Sequence, residues 1–247
     1  MIKFITLVIL KVFDSFYQKK MMNFLKKEID KINIFFDIGA HKGETIELFN
    51  NNFQINKIYS FEASPLTFEI LKERLSKIKK KYNKTTIFLE NVALGSVNKK
   101  IHIKHLNESS SSTIRPINSN SKYFKKKFFF LNRSNHENFY KELEVKQILL
   151  DDFVKKNTIN HIGFMKIDTE GYEFEVLKGA KNIINNVNFI LFEHHYDDMI
   201  VKNYFFSDIH DFLSKNNFKK IYKSKMPFRK TFEYIYVNKN YKKIDYQ

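Results

Sequence analysis

The chain has 247 residues, 43% of them hydrophobic and 16% aromatic, which is enough for one α/β domain with extensions. It has no cysteine; that excludes a disulfide scaffold, a thiolate metal site and a cysteine nucleophile, and fits a reducing, cytoplasmic compartment. The formal charge is +16, yet only Arg74, Arg115, Arg133 and Arg229 carry the planar fork that reads bases, so the excess reads as a solvated lysine surface and nucleic acid as a poor partner.

Residues 1–30 read as a helical extension, with Ile2, Ile5, Ile9, Val12 and Phe16 at helical spacing. The apolar run between Lys3 and Lys11 is too short to span a bilayer, and bulky Phe13, Phe16 and Tyr17 stand where a signal peptide needs small residues. Such a helix either packs on its own domain or lies on a membrane, which makes residues 1–20 a candidate peripheral membrane contact. From residue 31 to 247 strand and helix signals alternate. "NIFFDI" reads as a buried strand, "GETIELFNNN" as a helix, "KIYSFE" as a strand and "PLTFEILKERLSKIKKKY" as a helix capped by Ser64 and begun by Pro65. "TTIFLENVAL" reads as a third strand, and "KIHIKHL" and "EVKQILL" as half-exposed strands. Between the last two, residues 107–142 are polar with a basic-aromatic knot, as in a lid carrying a short helix around Tyr123–Phe130. Then come "LDDFVKKN", a short helix; "IGFMKID", a buried strand; "YEFEVLKGAKNII", a helix; "NFILFEHH", a strand; and "FSDIHDFLSKNN", a helix. "FKKIYKS" and "TFEYIYVN" close the chain as an antiparallel pair. The pattern implies a Rossmann-like, mostly parallel sheet covered on both faces, with a C-terminal antiparallel hairpin.

In such sheets ligands sit at the carboxyl ends of the strands. The first strand runs into Asp37, then Gly39-Ala40-His41-Lys42-Gly43. His41 stands where a dinucleotide fingerprint needs its second glycine, no Gly-Lys-Ser/Thr follows, and Asp37 would repel a phosphate. Glu62 ends the second strand, where a carboxylate accepts hydrogen bonds from ribose hydroxyls. The turn is therefore suited to a phosphate-free, positively charged nucleoside, and S-adenosylmethionine fits. Asn91, with Val92, Ala93 and Leu94 at the third strand's end, supplies the adenine side.

With these motifs the sequence resembles the FkbM-type S-adenosylmethionine-dependent methyltransferases. The resemblance runs from about residue 33 to residue 198 through "FFDIGAHKGET", "SFEASP", "NVALGS", "SSSSTI", "VKQILLDDF", "FMKIDTEGYEFEVLKGA" and "FILFEHH". It implies the seven-stranded methyltransferase sheet, cofactor roles for Asp37, Gly39, Glu62, Asn91 and Ala93, and a hydroxyl acceptor on a sugar, surface glycan or natural product; Ala40 and Gly43 of the first turn are expected to bind the cofactor with them. It also places the Ser109–Ser112 run near the acceptor.

Methyl transfer to a hydroxyl needs in-line alignment and gains from a base. Asp168 and Glu170 bracket a strand-to-helix turn that Gly171 lets bend tightly, and two such close carboxylates can raise one pKa. His194 and His195 end the next strand and must point to opposite faces; His194 is taken as the one in the cleft and the candidate base. Asp168 as a helix cap and a hydrogen-bonded scaffold histidine are the structural alternatives. Oxygen and nitrogen ligands for Mg²⁺ exist at these strand ends, but no fixed spacing demands a metal, and none is expected. An RNA acceptor, from the basic-aromatic knot, and a non-catalytic membrane-surface protein remain competing readings of the same sequence.

Overall fold

The structure is a computed structural model that describes residues 2–106, 112–131 and 140–243, with side chains outside 2–12, 78–80, 106 and 127–131. A long helix, α1 (Ile2–Glu28), leads into β1 (Lys31–Ile38). The chain then alternates through α2 (Glu44–Asn50), β2 (Gln54–Phe61), α3 (Pro65–Lys81) and β3 (Thr86–Glu90). As the sequence predicts, Pro65 opens α3, where its missing N–H costs nothing, behind Ser64. At Asn91 the chain leaves the main sheet through β4 (Ala93–Leu94), followed by β5 (Lys99–Leu106), β6 (Ser112–Thr113), α4 (Lys122–Leu131) and β7 (Tyr140–Ile148). It returns through α5 (Leu150–Lys156) to β8 (Ile162–Ile167), α6 (Glu173–Lys178), β9 (Val187–His195), α7 (Phe206–Lys215), β10 (Phe218–Lys225) and β11 (Thr231–Asn238).

The main sheet has seven strands in the order β10-β11-β9-β8-β1-β2-β3, with β11 antiparallel to both neighbours and the other pairings parallel. The path runs outward from β1 to β3, then resumes on the other side at β8. The strand order therefore reverses between β1 and β8, and that is where such a sheet opens a cleft. The half-exposed strands predicted around residues 107–142 form a separate four-stranded sheet, β4-β7-β5-β6. Its small core of Ala93, Ile101, Ile103 and Val145 is distinct from the two cores of the main sheet. At its base, Gly179 after α6 approaches Gly95 so closely that a Cβ on Gly179 would lie 2.0 Å from the Gly95 carbonyl oxygen. Only glycine lets backbone meet backbone there.

On one face of the main sheet, Phe35, Phe164, Phe189, Leu191, Ile235 and Val237 pack against Met21, Met22 and Leu25 of α1. On the other, Phe36, Met165, Ile190, Phe192 and Tyr234 pack with residues of α5, α6 and α7. Among the described side chains of α1, the buried ones, Met21, Met22 and Leu25, lie in its last third, and Phe13 and Phe16 are exposed. No helix among the described residues is long and apolar enough to cross a membrane.

Candidate active site

The turn after β1 is built around a close approach. Gly39 has φ +81°, and a Cβ there would lie 1.8 Å from the Asp168 carbonyl oxygen, so glycine is required twice over. The N–H groups of Gly39 and Ala40 both donate to the Phe61 carbonyl at 2.9 Å. Gly43, at φ +87°, begins α2. Glu62 fastens this turn to the one after β2, its Oε2 accepting the His41 N–H and its Oε1 the Ser64 N–H, both at 2.9 Å. Burial pushes the Glu62 carboxyl up to about 7, although both N–H bonds favour the anion. Asn91 Nδ2 donates to the Glu62 carbonyl at 2.8 Å and the Ala63 carbonyl at 3.3 Å, so it braces the same loop. Ala93 is buried in the small core, not on an open wall, because the chain has already left the main sheet.

Asp37 lies beneath this turn, 0% exposed, and neither carboxylate oxygen has a hydrogen-bond partner among the described residues. Burial pushes its pKa up to about 6, opposed by Lys166, whose Nζ is 3.9 Å from Oδ1. Such an orphaned pair of acceptors costs free energy until donors reach it.

The turn after β8 is held differently. Lys166 Nζ donates to Asp168 Oδ2 at 3.0 Å. Burial works against the Lys166 ammonium, but Asp168 and Asp37 outweigh it and hold its pKa above the ordinary lysine value. Glu173, fully buried, accepts the N–H groups of Thr169 (3.1 Å) and Gly171 (3.0 Å) on Oε1, while the Tyr204 hydroxyl donates to Oε2. Glu170 takes φ +50° and Gly171 φ +91°. The insertion clasps this turn from outside: the Thr113 hydroxyl donates to the Glu170 carbonyl at 2.8 Å, and Arg115 Nε to the Gly171 carbonyl at 3.1 Å.

Register brings further groups into line. Asp37 pairs with Lys166 across β1 and β8, and Glu193 with Glu233 across β9 and β11. By alternation these side chains share the face that carries Phe164 and Leu191. His195 lies among them, with Nε2 3.2 Å from Glu193 Oε1 and 3.3 Å from Glu170 Oε2, and Nδ1 3.1 Å from the Thr231 hydroxyl. Burial disfavours its imidazolium, but Glu170, Asp197 and Glu193 prevail and push its pKa well above the ordinary value. Burial, then Asp168, raises Glu193 well above the carboxylate range and Glu233 to about 7. His194 points the other way, into the rings of Tyr196, Tyr204 and Phe206 at 4.7–5.9 Å. Burial, then Lys202 and His195, drive its pKa down to about 3. His194, the histidine that the sequence reading placed in the cleft, thus lies on the face opposite Asp37, Lys166 and Glu193, and His195 lies on theirs. β9 keeps its register with β11 as far as His195, so the alternation is unbroken and His195 takes the acid-lined face.

The structure brings together Asp37, Gly39, Ala40, Asp168 and Glu170 at adjacent strand ends, with Glu62 one strand and Asn91 two strands further out. The residues missed by sequence reasoning are Lys166 and Glu233; Glu193 was counted only among the oxygen ligands available to a metal. Lys166 had a signal, since a lone lysine in a buried strand two positions before an aspartate shares its face. Glu233 had none, because only cross-strand register brings it here.

The expected helix in the insertion is α4, one residue longer at each end. Pro116 and Asn118 bond to Val201 and Met199, which ties the segment before α4 to the loop after β9. Tyr123 of α4 has its hydroxyl pKa pushed up to about 12 by burial, then by Asp197. Ser109–Ser111 lie outside the described residues; Ser112 Oγ is 3.2 Å from His105 Nδ1. Among the described residues no group of three or more His, Asp or Glu is arranged to hold a metal ion.

The model of the Methyltransferase FkbM domain matches residues 37–220. Hexuronic acid methyltransferase AglP of Haloferax volcanii is 24% identical over 178 residues, 72% of this chain and 62% of that protein. The crystal structure of Methyltransferase FkbM from Methylobacillus flagellatus KT superposes with a TM-score of 0.51 at 13% identity, over 84% of this chain and 44% of that one. Magnesium protoporphyrin IX methyltransferase (ChlM) from Synechocystis PCC 6803, solved with bound SAM, also gives 0.51 at 8% identity, over 92% and 81%. The chain thus spans less than two thirds of AglP and less than half of the Methylobacillus protein.

Proposed function

Because the chain belongs to the Methyltransferase FkbM domain family, we propose that it transfers a methyl group from S-adenosylmethionine to a hydroxyl of a sugar or surface glycan. The observation that carries this reading is Asp37, a buried carboxylate whose two oxygens await donors beneath a turn that only glycine can form. A donor-rich cation suits it and a phosphate does not. The Gly39–Gly43 turn and Asp37 would hold the amino-acid end of the cofactor. Glu62 spends one lone pair of each oxygen on backbone N–H and keeps others for ribose hydroxyls. When bound, S-adenosylmethionine supplies an electrophilic methyl on a sulfonium.

The chain's own chemistry lies across the cleft. Asp168, with a side chain 30% exposed, is the accessible carboxylate of the group, and Lys166 fixes its orientation. It takes the acceptor's proton as the acceptor oxygen takes the methyl. Glu170 is held against His195 and orients acceptor hydroxyls. His195, kept protonated by its acidic neighbours, serves as a fixed positive charge and not as a base. AglP is named for a hexuronic acid. A uronate carboxylate would want a cation, but here Lys166 faces Asp168 and Asp37, His195 faces Glu170 and Glu193, and Arg229 faces Asp14 at 2.9 Å. Carboxylates are good acceptors for sugar hydroxyls, which favours a hydroxyl as the methylated group.

Calorimetry with S-adenosylhomocysteine, followed by transfer of labelled methyl to a panel of neutral and acidic sugars, tests this. Binding by the wild type, weakened about tenfold in Asp37→Asn, is expected. No binding by the wild type overturns the reading.

A further inference from the structure

The exposed stretch of α1 and the tip of the β10–β11 hairpin, far apart in sequence, form one surface. Phe13 (41% exposed) meets Phe228 (72% exposed) edge to face at 5.2 Å between ring centroids, and Arg229 donates to Asp14 at 2.9 Å. Phe16 (65% exposed) stands one turn further along α1, beside Tyr17. Phe228 also takes φ +60°, a backbone state that large side chains rarely adopt. A strained phenylalanine at a hairpin tip that is 72% exposed adds to the fold only its edge contact with Phe13 and turns most of its surface to solvent. Lys19 and Lys20 on α1, and Lys225 and Lys230 flanking the tip, are exposed around these rings. Asp14 is the one acid in residues 13–20, and Arg229 takes it up; residues 225–230 hold none.

We propose that this paired surface, Phe13 and Phe16 of α1 with Phe228 of the hairpin tip, seats the protein on an anionic lipid bilayer. The rings enter the headgroup boundary, and the lysines reach lipid phosphates while their stems cover the apolar edge. Two arguments choose a bilayer over another occupant. The cations around the rings are lysines, point charges suited to mobile phosphates, and the one arginine present is spent on Asp14. The same helix continues toward the N-terminus through Phe4–Leu10, a run without charge in the sequence. Unlike an isolated amphipathic helix, the surface is clamped at a fixed angle to the body by the ring contact and the ion pair. The inference concerns where the protein works and does not depend on the proposed methyl transfer.

The test is co-sedimentation of the full chain with vesicles of phosphatidylcholine, with and without phosphatidylglycerol. Binding to the anionic vesicles only, weakened as salt rises from about 0.1 M to about 1 M, is expected. Phe16→Glu/Phe228→Glu should lower vesicle binding about tenfold or more, with S-adenosylhomocysteine binding unchanged. Phe228→Gly, which fits φ +60° without strain and so cannot weaken binding by unfolding the tip, should lower it by a smaller factor. No pelleting with any vesicle overturns the proposal. Unchanged binding by both variants does so too, as does finding that they instead dissolve a dimer or abolish RNA binding.

Discussion

Two strand-to-helix turns meet at adjacent strand ends, and they are held by different means. The turn after β1 is fastened by Glu62 of the neighbouring strand end and leaves its own aspartate without a hydrogen bond among the described residues. The turn after β8 is fastened by Glu173 of its own helix and clasped by Thr113 and Arg115 of the insertion, and its aspartate is already engaged by Lys166. The first arrangement spends its hydrogen bonds on shape and keeps a buried carboxylate for a ligand. The second spends them on orienting a carboxylate that stays within reach of solvent. On the proposed function, the difference divides the labour: one turn would bind the donor and the other would react.

Among substitutions, the largest effect should come from Gly39→Ala. Its Cβ would collide with the backbone carbonyl of Asp168, joining the two turns by a clash. A loss of about 3–5 kcal/mol in urea unfolding is expected, against about 1–2 kcal/mol for Gly43→Ala, where only the left-handed backbone is penalised. Equal costs would break the contrast. Next, Asp168→Asn should lower the transfer rate about 100-fold and leave S-adenosylhomocysteine affinity within about threefold, whereas Asp37→Asn should act chiefly on affinity. If both variants changed the same parameter, the division of labour would fail.

The pH dependence sharpens the comparison. Asp37, Glu62 and Glu233 have folded pKa values of about 6, 7 and 7, above ordinary values of 3.8, 4.5 and 4.5. The folded state therefore holds more protons than the unfolded one between about pH 4 and 7, and stability falls as pH rises through that window. An unfolding free energy lower at pH 8 than at pH 5 by roughly 5 kcal/mol is expected, with a flatter profile in Glu233→Gln. The smallest effect is assigned to Asn91→Ala, which loosens only the first turn. It should cost about 1 kcal/mol of stability and leave the rate at saturating donor unchanged.

Much of this was legible in the sequence because it is periodic or terminal. Alternating strands and helices gave the sheet, and carboxylates at consecutive strand ends gave Asp37, Glu62 and Asp168. Parity at the end of β9 was not legible, since one slip reverses His194 and His195 and only pairing with β11 forbids that slip. Nor was the second sheet, because half-exposed strands alternate in the same way whichever sheet they join. Glu193 and Glu233 become neighbours only across an antiparallel pair, a long-range fact that no local window contains.

The meeting of Gly95 and Gly179 has a practical side. With no side chain between them, the foot of the accessory sheet cannot slide or swing without parting from the end of α6, and α6 follows the reacting turn directly. On the proposed function, variation in the acceptor would enter at the far end of the β5–β7 arm, away from this contact. On that reading a chimera spliced there, between residues 106 and 140, would exchange acceptor preference and spare the donor site, provided it kept Thr113 and Arg115, which clasp the turn after β8; one spliced at the foot would damage both.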